Sequence, residues 1–162
     1  MIEASNKILT LRTMTQKEMR ALWRKYIPEE GLPEYVYNEE AVDKRYEKTV
    51  ALDEWNPTVG IFTKNDEIIG ELTFARIVYS EKRCDLMILL ANETYRNKGY
   101  GTEAINIAKS YAKDKMGLTR IFVEVSPKNT RMQAVLKKCK FMHTRNVKDQ
   151  NGRELMLYVC VL

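Results

Sequence analysis

The residues from Cys84 to Ala91 form a near-continuous apolar run, with Leu86-Met87-Ile88-Leu89-Leu90 at its centre. A run of strand length without polar alternation reads as a strand buried on both faces. After Arg96-Asn97-Lys98-Gly99-Tyr100-Gly101-Thr102 comes a helical pattern with Ala104, Ile105, Ala108, Tyr111 and Ala112 on one face, and Gly117 is placed to end it. Ile121 to Val125 is a second buried-strand pattern. Strand, loop, helix and strand in that order form a parallel crossover, which commits the chain to a mixed α/β sheet.

The remaining segments extend that sheet. Ile8 to Arg12 reads as a first strand, and Thr15 and Glu18 form a capping box for a helix with Met19, Leu22, Trp23 and Tyr26 on one face. Pro28 and Pro33 break it. Asn38 is placed to cap a second helix running to about Leu52. Val59–Thr63 and Ile68–Val78, around Asn65-Asp66, predict a hairpin. Ser126-Pro127 predicts a helix start, with Ser126 as N-cap and Met132, Val135, Leu136 and Cys139 as the apolar stripe. Phe141–Val147 and Glu154–Val161, around Asn151-Gly152, predict a closing hairpin.

The length of 162 residues suits one domain over 1–162, with a core that needs no disulfide or metal. A hydrophobic fraction of 44% and a charged fraction of 30% exclude disorder. The formal net charge of +5 suits an anionic ligand such as a phosphate-bearing cofactor. It is small for a nucleic-acid-binding module, and no aromatic-basic RNA motif accompanies it, so nucleic acid is not the expected partner. Three cysteines without paired spacing point to a reducing, cytoplasmic setting and away from disulfides or zinc; with a single histidine, no metal site is expected. No apolar run reaches the length of a membrane helix, and no signal-peptide pattern opens the chain.

The stretch from Arg96 to Thr102 carries the chemistry. Glycines at 99 and 101 allow the backbone to approach a ligand closely, the helix start offers unpaired amides and a positive dipole end, and Arg96 and Lys98 add charge. The combination suits a pyrophosphate, although an ordinary strand-to-helix turn would also accommodate it. It is neither a Walker loop nor a complete dinucleotide fingerprint.

The pattern Arg-x-x-Gly-x-Gly after an apolar strand resembles the acetyl-CoA motif of the GNAT superfamily of N-acetyltransferases. Tyr95 to Ala104 looks most like the branch acting on ribosomal-protein N-termini. Asn129, followed by a helix and Lys138-Cys139-Lys140-Phe141, is similar to the family's Asn…Lys-x-Gly-Phe block. The likeness is strong over residues 56–145 and weak over the first 55. It implies a twisted mixed sheet of about six to seven strands with about four helices on its faces, and acetyl-CoA as co-substrate. Two positions depart from the pattern: Lys140 stands where the family usually has glycine, and Leu136 stands where many members carry a tyrosine poised near the cofactor sulfur.

The resemblance implies that the backbone around Leu89 and Leu90 pairs with pantetheine and supplies an amide for the thioester oxygen. Arg96, Lys98, Gly99, Tyr100, Gly101 and Thr102 would hold the pyrophosphate. Asn129 would bond the pantetheine arm and Arg131 would reach the phosphates. A base must take the proton of the acceptor amine. Asp85, fourteen residues before Gly99, is the candidate, or else a carboxylate paired with Arg83; Glu71 and Glu124 are lesser candidates. Tyr158 or Tyr111 could protonate the leaving thiolate, or simply pack; His143 and Cys139 read as structural. The acidic, aromatic loop Pro28–Tyr37, with Glu29, Glu30, Glu34, Tyr35 and Tyr37, suits a cationic small-molecule or peptide amine, or is a solvated surface. The expected function is acetyl transfer to a primary amine by direct attack on the thioester. The alternative is a non-catalytic acyl-CoA-binding or regulatory protein on the same fold. The family often forms dimers through its later strands, so a homodimer is possible.

Overall fold

The computed structural model describes residues 1–51 and 56–162. Among these residues eight strands form one mixed sheet: β1 (Glu3–Ser5), β2 (Leu9–Arg12), β3 (Thr58–Thr63), β4 (Ile68–Val78), β5 (Arg83–Leu90), β6 (Arg120–Val125), β7 (Met142–Lys148) and β8 (Glu154–Val161). Their order is β1-β2-β3-β4-β5-β6-β8-β7. Among the described residues four α-helices join them: α1 (Gln16–Arg24), α2 (Glu39–Tyr46), α3 (Tyr100–Asp114) and α4 (Thr130–Lys138). The expected six to seven strands are therefore eight. The extra one, β1, has only three residues and an exposed–intermediate–exposed pattern that leaves no periodic signal in the sequence.

Two apolar layers hold the sheet. Ile61 packs with Leu72, Phe74, the α3 residues Ala104, Ile105 and Ala108, and Leu136 of α4. The next residue, Phe62, packs instead with Met14, Met19 and Leu22 at α1 and Val42 of α2. Successive strand side chains point to opposite faces, so α3 with α4 and α1 with α2 cover opposite sides.

Local signals account for most boundaries. Thr15 and Glu18 make the capping box that starts α1. The Asn38 side chain caps α2 by accepting from the Ala41 amide at 2.9 Å. Helix α2 ends at Tyr46 and passes into a π-helical turn over Glu47–Ala51. Its expected last residue, Leu52, lies outside the described residues. The cap of α4 differs from expectation. Asn129, not Ser126, caps it, accepting from the Met132 amide at 3.0 Å. The amide of Asn129 first closes a turn onto the Ser126 carbonyl at 2.9 Å, which moves the helix start to Thr130.

The end of α4 explains one departure from the family pattern. The Phe141 amide donates to the Leu136 carbonyl and the Lys140 amide to that of Lys137, a Schellman arrangement with Lys140 in its left-handed position at φ 66°. Glycine occupies such a position without steric cost, whereas a side chain there costs about 1 kcal/mol. Lys140→Gly is therefore expected to raise the unfolding free energy by about 1 kcal/mol, measured by urea denaturation.

Candidate active site

Strands β5 and β6 are paired in parallel only through Arg83–Arg120, Cys84–Ile121 and Asp85–Phe122. Beyond that point they separate. On its other side β5 stays paired with β4 as far as Leu90–Gly70, and β6 stays paired with β8 as far as Val125–Met156. The fork leaves one backbone edge of β5 open from Leu86 onward. This corrects the expectation that the apolar run is buried on both faces: Met87 is 63% exposed, and Ile88, Leu89 and Leu90 are only half-buried. Their neighbouring strand has turned away, and the run becomes the wall of a cavity of about 700 Å³.

The start of α3 closes one end of this cavity. Gly99 is the N-cap, at φ 82°, and among the described residues no side chain caps the helix. The first amide with an intrahelical partner is that of Glu103, which donates to Gly99. The amides of the first turn are thus available to a ligand, and the dipole favours an anion. Gly99 and Gly101 both line the cavity. A Cβ on Gly99 would meet nothing within 4 Å, and one on Gly101 only Val135 at 3.9 Å. The space in front of both is open and not filled by the protein's own packing. The geometry therefore suits the pyrophosphate and pantetheine arm of acetyl-CoA.

The structure brings Leu89, Leu90, Gly99, Gly101 and Thr102 to the cavity wall, together with Asn129, Arg131 and Asp85. Lys98 and Tyr100 lie outside it, and Tyr100 packs against the core. Arg96 also touches the cavity, but its guanidinium is not free for a phosphate. With its side chain 5% exposed, it donates to the carbonyls of Ile27 (2.8 Å) and Leu90 (3.1 Å) and to Glu93 (3.0 Å). It clips the exit of α1 to the end of β5. Truncating it strands two carbonyls, so Arg96→Ala is expected to cost about 2–4 kcal/mol, read as a lower melting temperature. Arg96→Lys should not restore it, because an ammonium lacks the planar fork.

Arg131 is paired with Glu93 through two contacts, at 3.2 and 3.3 Å. The Asn129 side chain spends its oxygen on the helix cap. Arg96 and Arg131 share Glu93, and Glu29 lies 3.9 Å from Arg96, so with Lys138 this end of the cavity keeps a small excess of positive charge.

The opposite end carries carboxylates. Asp85, 7% exposed, is ion-paired not with Arg83, which turns to Glu81 at 2.5 Å, but with Arg76. Arg76 also reaches Glu124 at 3.1 Å. Burial pushes the Asp85 carboxyl above its usual range, and Arg76 opposes that shift. Glu71 is buried on the α1–α2 face, bonded to Arg45 and to the Trp23 indole at 3.3 Å.

Tyr158 is not in the cavity. It is buried in the core beside the His143 ring, at 5.4 Å between centroids, because its position in β8 faces α3 and α4. Tyr111 packs 6.0 Å from Phe74. Leu136 is fully buried, so no hydroxyl stands at the position where many relatives have one. Burial pushes the Cys139 thiol up to about 11 and the Cys84 thiol to about 12, which removes both as nucleophiles at neutral pH.

Among the wall residues to which sequence reading gave no site role are Tyr26 and Arg76. Tyr26 lies just beyond the end of α1, and its phenol is raised chiefly by burial. Arg76 sits at an irregularity in β4 that nothing in its neighbouring residues announces.

Comparison with known families decides the assignment. The family model described as "Acetyltransferase (GNAT) domain" matches residues 9–142. The chain belongs to the GNAT acetyltransferase family. No curated protein matches it. Among solved structures, this GNAT chain is similar to Mycobacterium smegmatis RimJ in complex with CoA-disulfide. The TM-score is 0.85 at 17% identity, over 99% of this chain and 87% of that one. It is also similar to a spermidine N-acetyltransferase SpeG chimera from Vibrio cholerae and hSSAT (TM-score 0.81, 18% identity, 94% and 95% covered). A third is the Microcin C7 self immunity acetyltransferase MccE in complex with acetyl-CoA and AMP (TM-score 0.78, 20% identity, 97% and 94% covered). At these identities the likeness establishes the shared GNAT fold.

Proposed function

We propose that this acetyltransferase moves the acetyl group of acetyl-CoA to a primary amine by direct attack at the β5/β6 fork. The observation that carries the reading is the fork itself: an open strand edge running from a helix start without a side-chain cap to a buried carboxylate. The amides of Gly101 and Thr102 would hold the pyrophosphate, with Arg131 adding charge. The open edge at Leu89 and Leu90 would hold the pantetheine arm as an added strand, and an amide there would stabilise oxygen charge. Asn129 keeps its amide nitrogen for the same arm. Bound acetyl-CoA supplies an activated thioester.

Asp85 is the proton acceptor of this proposal. An alkylammonium must lose a proton before it can attack, and burial raises the basicity of this carboxyl. No covalent enzyme intermediate is invoked, since the cysteines are buried thiols. Tyr158 is given no part, because it faces the core. A thiol with a pKa of about 8.5 needs little help to leave. The acceptor would enter past Tyr26, Glu29 and Leu32, all of which line the cavity. Glu29 stands near the Tyr26 ring with its charge shared with Arg96 at 3.9 Å, and an acidic residue beside an aromatic ring favours a cationic amine. The three free cysteines support a reducing, cytoplasmic setting.

Thiol release from acetyl-CoA, followed against a panel of polyamines, aminoglycosides and peptides with free N-termini, tests the proposal. Acceptor-dependent release with one acetylated amine per thiol is expected. Acetyl-CoA binding without release for any class would favour the second reading, a non-catalytic acyl-CoA-binding protein, which the buried Leu136 motivates.

A further inference from the structure

Where β4 pairs with β5, the register slips between Ala75 and Val78. Arg76 lies in this slip with a left-handed backbone, φ 48°, and its amide donates to the Asn56 carboxamide oxygen at 2.7 Å. Its guanidinium thereby reaches across the closed end of the fork, to Asp85 on β5 and Glu124 on β6. All three side chains line the cavity. The two ends of this contact are unlike. The Asp85 side chain is 11% exposed and that of Arg76 60%. Arg83, the other cation near Asp85, is bonded to Glu81.

We propose that Arg76 is a built-in stand-in for the acceptor: its guanidinium holds the place that the acceptor's ammonium takes between Asp85 and Glu124, and the two exchange on binding. This rests on the acetyl-transfer reading, in which the amine arrives at Asp85. The physical argument is one of asymmetry. An exposed arginine gives up an ion pair at little cost. A buried carboxylate left without a cation is costly. Arg76 therefore leaves only when another cation replaces it, and a neutral ligand cannot displace it. The device selects cationic amines and keeps the carboxylate satisfied between turnovers. Arg76 is in this sense a specificity-determining residue acting through Asp85, not a catalytic one.

The test uses Arg76→Gly, which accepts the left-handed backbone without strain, and Arg76→Asn as a second neutral variant that also tolerates it. The first arm needs neither acetyl-CoA nor a known acceptor. Millimolar propylammonium or methylguanidinium, against sodium chloride at equal ionic strength, should raise the melting temperature of both variants by linkage. The shift should be smaller or absent in the wild type and in Arg76→Gly/Asp85→Asn. In the second arm, with an amine that supports turnover, both variants should lower KM about fivefold, the weight of one exposed ion pair. Arg76→Lys should restore the wild-type KM. A purely structural ion pair would instead raise KM or lower kcat. No thermal response of either variant to either cation, or a KM that rises, would overturn the proposal. Failure of turnover alone would count against the transferase reading and leave the binding arm to decide the role of Arg76.

Discussion

Asp85→Asn is expected to lower kcat/KM for the acceptor amine by at least about 10²-fold, the usual contribution of a positioned base. Acetyl-CoA affinity should stay within about twofold, because Asp85 lies at the closed end of the fork, away from the α3 cradle. Asparagine keeps the shape and an oxygen toward Arg76 but cannot take a proton. The loss should appear chiefly in kcat, with a smaller rise in KM because the ammonium loses one of its two carboxylates, and the acidic limb of the pH–rate profile should vanish with it.

Stability should behave differently. The folded-state carboxyl is raised above its ordinary 3.8 by burial. Its contribution to folding is therefore fully present below that value and is lost as pH rises through the raised one. At pH 7 the ionised carboxylate is a burden, so Asp85→Asn should not lower the melting temperature there. The wild type should gain on the variant as the pH is lowered through that window. Thermal melts of both proteins from neutral to acid pH check the sign. An activity loss accompanied by a large loss of stability at pH 7 would point to misfolding instead.

Gly101→Leu is the second large effect. Gly101 lies in the first turn of α3, and an added Cβ meets only Val135 at 3.9 Å. The fold has room for a side chain there, and glycine in a helix costs about 0.8–1.0 kcal/mol relative to alanine. Gly101→Ala should therefore raise stability slightly and leave binding nearly intact. Leucine should be stable as well, but its branch would fill the space facing the helix amides. Acetyl-CoA affinity should fall by about 10²-fold or more, equivalent to losing two charge-assisted hydrogen bonds. The opposite signs on stability and on affinity separate this outcome from a damaged fold.

These expectations draw on features of unequal visibility. The crossover from β5 through α3 to β6 was plain in the order of apolar runs, and the two glycines marked the anion cradle, because both depend on residues close together in sequence. The role of Arg96 was not visible. Its type and position matched a phosphate ligand, but its donors go to Ile27, 69 residues away, and to Leu90, a pairing made by the tertiary fold. Met87 was expected inside because its neighbours are apolar. It is exposed because it lies on the wall of the open cavity, a feature of the tertiary fold that no property of β5 encodes. Tyr158 looked as suitable as any tyrosine until the β8 register turned it to the core. Asp85 was legible as a strand carboxylate, but its partner was not. Arg83 is the near neighbour in sequence, whereas the register slip in β4 delivers Arg76.

Calorimetric titration of acetyl-CoA into the purified protein, with desulfo-CoA and ATP as comparison ligands, tests the central claim most directly. Saturable binding of one acetyl-CoA per chain, competed by desulfo-CoA, matched only weakly by ATP and lost in Gly101→Leu, is the predicted result. A folded protein that shows no acetyl-CoA binding, or binds it equally well with Gly101→Leu, would contradict the assignment of the β5/β6 fork as the acetyl-donor site.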